Sequence, residues 1–227
     1  MSSNEIYQRI HNESISYIRK NDILVDRYLE PDCVDTRKGI SLIVKLREEN
    51  RKTYEELVEN IRHIEPEQYY YPFEDLHITI FDFVSAKEKF ISGNHDEEKI
   101  IKCTADVIAG SVPFTVAFRG IVCSREAVII NGYDENEVVR IRNKIRQKAL
   151  ECGIKNEERY VSYSAHSTFM RFRKKLRDGK KFEKEIGIWR EYEFWKEEID
   201  TLDLVEHDWY NRSGTKRIIE EYRIDRR

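Results

Sequence analysis

Four residues of this chain have the types and spacing needed for acid–base chemistry. His77 and Thr79 form one motif, and His166 and Thr168 form a second, each pair separated by a single residue. On a β-strand such a pair projects from one face, so each motif presents an imidazole beside a hydroxyl. One imidazole can accept the proton of an attacking water or hydroxyl while the other protonates the leaving oxygen. The two hydroxyls can hydrogen-bond a phosphate held between them. The pattern therefore predicts cleavage of a phosphodiester without a metal ion or cofactor.

A single His-x-Thr motif carries little information, because one histidine on a strand is more often a structural or surface residue. Two motifs are a stronger signal, since the chain has only 6 histidines and both motifs fall on predicted strands. Leu76, Ile78 and Ile80 alternate with the first motif, which is the pattern of a half-buried strand. We predict His77 and His166 as the catalytic pair, and the sequence leaves open which of them is the acid.

Hydrophobic periodicity and turn residues predict the elements that hold these motifs. The predicted helices cover residues 4–19, about 53–64, 97–109, 136–151 and 182–196. The predicted strands cover residues 40–46, 76–83, 114–118, 127–130, 161–172, 199–209 and 217–224. Thr53 with Glu56 is predicted as a capping box for the second helix, and Asn136 as the cap of the fourth. Strands and hairpins mixed with helices of this length indicate an α+β fold rather than a doubly wound parallel sheet.

The order of these elements also predicts the domain organisation. Helix–strand units occur twice, around residues 40–83 and 114–172, so a pseudo-two-fold axis can relate the two motifs. No segment rich in proline or serine separates the halves. We predict an N-terminal helical extension over residues 1–38 and one bilobal domain over residues 39–227.

Composition limits the class of partner. The chain has 40 basic and 43 acidic residues and a net charge of −3, which disfavours binding along a long nucleic-acid duplex and favours a nucleotide or short RNA. No stretch approaches the ~18 apolar residues of a membrane span, and the N-terminus has no apolar signal core. The four cysteines form no C-x-x-C pair and are predicted to be reduced thiols of a cytoplasmic protein.

A few further residues are weaker candidates. Arg171 can hold a phosphate oxygen, although strict alternation places it opposite His166 unless the strand bends. Tyr163 can donate its phenol to phosphate or stack on a base, with simple packing as the default. Residues 173–177 form either a basic lip or a solvated loop. His207 fits no metal or triad motif and is predicted to be structural. The aromatic residues that can stack on bases at a groove rim are Tyr69, Tyr70, Tyr71, Phe73 and Trp209.

The paired motifs resemble those of the 2H phosphoesterase superfamily, which includes bacterial 2′-5′ RNA ligase-like proteins and cyclic phosphodiesterases. The resemblance covers about residues 39–224 and is supported by the aromatic strand that ends at Gly120 and by the basic residue Arg171. It implies two pseudo-symmetric lobes of antiparallel sheet, with helices outside and both histidines on the floor of a central groove. It also implies hydrolysis of 2′,3′-cyclic phosphates, or cleavage or formation of 2′-5′ linkages.

Three functions fit this pattern. The first is a phosphodiesterase acting on a 2′,3′-cyclic phosphate or a 2′-5′ linkage of a nucleotide or RNA end. The second is a nucleotide or RNA-end binding protein with little turnover. The third is an RNA ligase or a hydrolase of cyclic signalling nucleotides that uses the same site. The natural substrate and the oligomeric state stay open at this point.

Overall fold

The computed structural model describes residues 2–159 and 161–225, which form five α-helices and nine strands. The helices are α1 Ser3–Arg19, α2 Arg51–Ile64, α3 Glu97–Ile108, α4 Glu137–Glu151 and α5 Gly179–Ile188. The strands are β1 Lys38–Lys45, β2 Tyr69–Tyr70, β3 His77–Lys87, β4 Phe114–Cys123, β5 Ala127–Tyr133, β6 Ala165–Arg171, β7 Glu193–Ile199, β8 Thr201–Asp208 and β9 Arg217–Arg223. Among the described residues, no helix has the length and apolar character needed to cross a bilayer.

The strands form two antiparallel sheets, ordered β3-β1-β8-β9 and β2-β6-β5-β4-β7. The sheets correspond in their connections, since α2 joins β1 to its neighbour β3 in one and α4 joins β5 to its neighbour β6 in the other. The two motif strands, β3 and β6, contact each other where the sheets meet. The main hydrophobic core runs across both sheets and their helices. The predicted two-lobed α+β fold is confirmed.

Each motif strand contains a bulge directly after its threonine. Along β1, Leu42 and Ile43 pair with Phe81 and Thr79, so one residue of β3 is extra at this point. Along β5, the register with β6 shifts in the same way, because Val128 pairs with Met170 and Ile129 with Thr168. A bulge reverses the alternation of side chains beyond it. As a result Asp82 and Arg171 return to the face that carries the histidines.

The N-terminal extension packs on the second sheet. The Tyr7 hydroxyl of α1 accepts a hydrogen bond from the Gly132 backbone N–H at 3.0 Å and lies 3.0 Å from the Gly132 carbonyl oxygen and 3.2 Å from the Ala165 carbonyl oxygen, to which it can donate. Tyr7 is buried in a small apolar cluster with Val122 and Ile129. A separate domain boundary at residue 38 stays a prediction.

Several secondary-structure predictions were wrong at particular residues. The helix predicted over 182–196 ends at Ile188, and residues 193–199 form β7 beside β4. Dense Glu and Lys gave this segment a helical character, but the buried Glu197 accepts hydrogen bonds from the Arg47 backbone N–H and the Asn50 side chain, and this tertiary pairing outweighs local propensity. The strand predicted from residue 161 begins only at Ala165.

Both predicted caps were also wrong in their chemistry. α2 starts at Arg51, after a 3₁₀ turn over Glu48–Asn50, so Thr53 lies inside the helix instead of capping it. Asn136 does occupy the cap position of α4, but its side chain makes no capping hydrogen bond. The Asp134 carboxylate accepts from the Val138 N–H there instead. Local sequence indicated that helices begin near these points, but not which side chain satisfies the free N–H groups.

Replacing Tyr7 with Phe tests the attachment of α1. The substitution leaves the buried Gly132 N–H without its acceptor, which costs about 1–2 kcal/mol. We expect the free energy of unfolding in urea to fall by that amount. Tyr17→Phe is the matched control, because no hydrogen bond of the Tyr17 hydroxyl occurs within the described residues. Equal stability of the two variants would contradict the proposed anchoring of α1.

Candidate active site

The two motifs meet in one small cavity. His77 and Thr79 of β3 and His166 and Thr168 of β6 all line a space of about 140 Å³ between the sheets. Arg171 lines it too, because the bulge in β6 turns its side chain inward. The structure thus brings together five of the six residues predicted from sequence. The remaining lining residues are Tyr71, Asp82, Ser85, Ala86, Arg159, His207 and Trp209.

The His77 ring is held in one tautomer. Its Nδ1 lies 2.8 Å from the Asp75 carbonyl oxygen, which can only accept, so Nδ1 carries the proton. The Asn211 amide nitrogen lies 3.1 Å from Nδ1 and donates to the same carbonyl oxygen at 3.4 Å. Asp75 is itself fixed, since its carboxylate accepts from the Ser213 N–H at 2.6 Å. The lone pair of His77 is therefore on Nε2, where it can act as a base.

His166 has a more adaptable partner. Its Nδ1 lies 3.0 Å from the Ser164 hydroxyl, which can either donate or accept. This hydrogen bond can persist when the ring changes its protonation state or tautomer. The two histidines therefore differ in their local environment, although their positions on the two sheets correspond.

Both imidazoles are held neutral in the free protein. Burial lowers the pKa of His77 to about 3, and His207, Lys216 and His166 lower it further against the opposing hydrogen bond from Asp75. Burial likewise lowers the pKa of His166 to about 4, assisted by the positive charges of Arg142 and Arg171. An anion bound between the rings would favour the protonated form and raise both values.

Arg142 of α4 connects the first motif strand to the segment that leads into the second. Its Nε and Nη2 donate to the carbonyl oxygens of Ile80 at 2.8 Å and Thr79 at 2.7 Å. Its Nη1 donates to the carbonyl oxygens of Ser162 at 3.2 Å and Ser164 at 3.1 Å. One buried guanidinium therefore connects the bulge of the first motif to the segment that enters the second. This role could not be predicted, because in the sequence Arg142 is an ordinary charged residue in a helical pattern.

A model of the 2′-5′ RNA ligase superfamily matches residues 51–210, a range that contains both motifs. The chain belongs to this superfamily. Membership supports a phosphoesterase activity of the 2H type. No curated protein matches the chain significantly.

Solved structures of similar fold cover most of the chain. TT0787 of Thermus thermophilus has 15% identity and a TM-score of 0.57, over 82% of this chain and 97% of that one. E. coli LigT complexed with ATP has 14% identity and a TM-score of 0.55, over 84% and 99%. E. coli LigT complexed with 3′-AMP has 12% identity and a TM-score of 0.52, over 85% and 100%. At identities this low, the similarity shows a common fold and nothing more.

Three hydrogen-bonded residues beside the motifs, His207, Ser41 and Asp82, were not predicted from sequence as part of the site. His207 of β8, predicted to be structural, places Nε2 2.7 Å from the Ser41 hydroxyl and Nδ1 2.6 Å from the Asp208 carbonyl oxygen. The Ser41 hydroxyl donates in turn to Asp82 at 2.6 Å. One signal was available, because Asp82 follows His77 at the same interval at which Arg171 follows His166.

Tyr163 lies apart from the small cavity. Its side chain is 52% exposed and lines a larger neighbouring space that also reaches His166, Thr168 and Arg171. Binding of phosphate by Tyr163 stays a prediction. Trp209, one of the aromatic residues predicted at the rim, lines the small cavity under the guanidinium of Arg159.

The low histidine pKa values predict a loss of stability in acid. Below about pH 6.5 the unfolded chain binds protons that the folded imidazoles do not bind, so stability falls as the pH is lowered. The contribution of His166 ends near pH 4 and that of His77 near pH 3, where each ring is protonated in the folded state as well. We expect the free energy of unfolding to fall less steeply with pH in the double variant of His77→Gln and His166→Gln. Urea denaturation across this pH range measures both slopes. His63→Gln, on the exposed surface of α2, should keep the wild-type slope, and identical slopes in all three proteins would refute the prediction.

Proposed function

We propose that the chain is a metal-independent phosphodiesterase that acts on a 2′,3′-cyclic phosphate or a 2′-5′ linkage of a nucleotide or RNA end. The observation that carries this proposal is the convergence of both His-x-Thr pairs on one small cavity. In this proposal His77 and His166 exchange protons with the reacting oxygens. Thr79, Thr168 and Arg171 hold the non-bridging oxygens of the phosphate.

Hydrolysis of a cyclic phosphate illustrates the proposed roles. Nε2 of neutral His77 accepts a proton from water as the water oxygen bonds to phosphorus. The bond from phosphorus to one ribose oxygen breaks, and that oxygen takes the proton of His166. The anionic phosphate supplies the charge that keeps His166 protonated. His166 is assigned as the acid because its Ser164 partner fits either protonation state, whereas His77 presents the lone pair of Nε2 as a base. In the reverse direction the two residues exchange roles.

A nucleotide as the ligand is supported by the relatives and by the groove. E. coli LigT has been crystallised with 3′-AMP and with ATP. In this chain the groove adds aromatic and cationic surface next to the phosphate position. The guanidinium carbons of Arg37, Arg159 and Arg171 lie 4.2, 4.3 and 5.2 Å from the Trp209 ring centre. An indole ring surrounded by guanidinium groups is suited to bind a nucleotide, because the cations attract the phosphate and the aromatic surface can stack on the base.

Turnover of the four 2′,3′-cyclic nucleotides tests the catalytic pair. His77→Ala and His166→Ala should each lower kcat by at least about 100-fold, since each removes a general acid or base. The control is His63→Ala, which removes a histidine from the exposed face of α2. EDTA should leave wild-type turnover unchanged. Turnover abolished by EDTA would refute the metal-independent mechanism, and nucleotide binding without any turnover would favour the binding-protein alternative.

Substitution of Arg171 tests phosphate binding. The Nε of Arg171 donates to the Tyr71 hydroxyl at 2.9 Å, which orients the guanidinium and leaves its other N–H groups for a ligand. We expect Arg171→Met to lower kcat/KM by at least about tenfold. Arg171→Lys should lower it by less, since lysine keeps the positive charge but loses the bidentate hydrogen bonding of the guanidinium. Arg177→Met is the control for the exposed basic stretch. An equal loss in Arg177→Met would show that long-range charge, rather than contact with phosphate, is responsible.

A further inference from the structure

A second, larger cavity opens directly from the catalytic groove. Its volume is about 660 Å³, and it shares His166, Thr168 and Arg171 with the small cavity. His77 is not among its lining residues. The larger cavity therefore lies on the His166 side of the phosphate position, where one substituent of the phosphate would project.

The N-terminal extension forms one wall of this cavity. Ile6 and Ile10 lie one turn apart on α1 and face it, with Ile129 of β5 beside them. The lining also includes Val161 and Tyr163, which are 47% and 52% exposed. Polar and charged residues lie among these apolar ones, and besides His166, Thr168 and Arg171 they are Arg9, Ser124, Glu126, Ser162 and Ser164.

The α1 wall is held in a fixed position. Besides the Tyr7 hydroxyl bonds to the second sheet, the Tyr7 ring meets the Tyr133 ring edge-on at 5.3 Å between centres. At the far end of the helix, Arg19 forms two hydrogen bonds of 2.8 Å with the carboxylate of Glu183 on α5. A wall attached at both ends can shape a binding site without an ordering cost on binding.

The size and lining of the cavity suit a flat aromatic group attached to the phosphate. Small-molecule sites are commonly cavities of about 300–1,000 Å³ with mostly apolar lining and a few directed polar groups. A phosphate needs only the small cavity, so the larger one is suited to a group attached to it. A tyrosine and two isoleucines that line one cavity fit a flat aromatic ring, and Arg9 and Glu126 offer a donor and an acceptor for its edge.

We propose that this cavity binds the base of the nucleotide whose phosphate lies between the two His-x-Thr motifs. Ile6, Ile10 and Ile129 contact one face of the base, and Tyr163 stacks on the other. The extension then acts as a specificity element that distinguishes nucleotides from other cyclic phosphates. This inference rests on the proposed function, because it takes the phosphate position from that site.

The decisive experiment fills the cavity and compares two substrates. Ile10→Trp places a large side chain in the cavity from a half-buried position, and Asn12→Trp places the same side chain on the exposed face of the same helix. Each is assayed with adenosine 2′,3′-cyclic phosphate and with glycerol 1,2-cyclic phosphate, which has the cyclic diester but no base. We expect Ile10→Trp to raise KM at least about tenfold for the nucleotide and to leave kcat/KM for the glycerol compound unchanged. Asn12→Trp should affect neither substrate.

An equal loss on both substrates, or no loss on either, would overturn the inference. If the wild type cleaves neither compound, the proposed action on cyclic phosphates fails and the cavity is tested by calorimetry instead. Binding of 3′-AMP that Ile10→Trp weakens at least about tenfold, with binding of inorganic phosphate unchanged, supports the cavity independently of turnover. Equal affinity of the two proteins for 3′-AMP, or no binding of 3′-AMP by the wild type, overturns it.

Tyr163 gives a second readout with its own control. Tyr163→Phe keeps the ring and removes the hydroxyl, whereas Tyr163→Ala removes both. Stacking on the base predicts a wild-type KM for adenosine 2′,3′-cyclic phosphate in Tyr163→Phe and a raised KM in Tyr163→Ala. A loss in Tyr163→Phe that extends to glycerol 1,2-cyclic phosphate would instead indicate phosphate binding by the phenol and would contradict the stacking role.

Discussion

The guanidinium of Arg142 is the interaction on which the geometry of the groove depends. It is buried, and its four hydrogen bonds all go to carbonyl oxygens on the first motif strand, β3, and on the segment that leads into the second, β6. A buried charge is costly unless its donors are satisfied, so the backbone around Arg142 must keep these carbonyls in place. Burial lowers the pKa of Arg142 to about 10, which still leaves it charged near neutral pH. The same residue thus sets the spacing between the sheets and the electrostatic environment of His166.

The corresponding bulges give each motif a third groove-facing residue, and these residues differ in charge. On β6 it is Arg171, oriented by the Tyr71 hydroxyl. On β3 it is Asp82, which accepts from Ser41 next to His207. Two similar half-sites therefore produce an asymmetric groove, cationic at one end and with a hydrogen-bonded carboxylate at the other. Under the proposed function, this asymmetry gives the substrate a preferred orientation between two similar His-x-Thr pairs.

The parts of the site that the sequence predicted are those that depend on local backbone geometry. Alternation along a strand was enough to place His77 with Thr79, and His166 with Thr168. The inward position of Arg171 could not be predicted, because it depends on the register between β6 and β5. The tautomer of His77 likewise depends on the Asp75 carbonyl oxygen, and Asp75 is held by the Ser213 backbone N–H far along the chain. In the same way, β7 was mistaken for helix because its buried Glu197 is stabilised by partners far along the chain, in the connection between β1 and α2.

The environment of the histidines links substrate binding to proton transfer under the proposed function. In the free protein both rings are neutral, and Arg142 and Arg171 oppose protonation of His166. A bound phosphate compensates these charges and restores the affinity of the ring for a proton. Because Ser164 can accept from the protonated ring, the hydrogen bond to His166 need not break when the proton arrives. The acid is therefore formed only when the substrate is in place, and this explains how two histidines with very low pKa values can still serve as an acid–base pair.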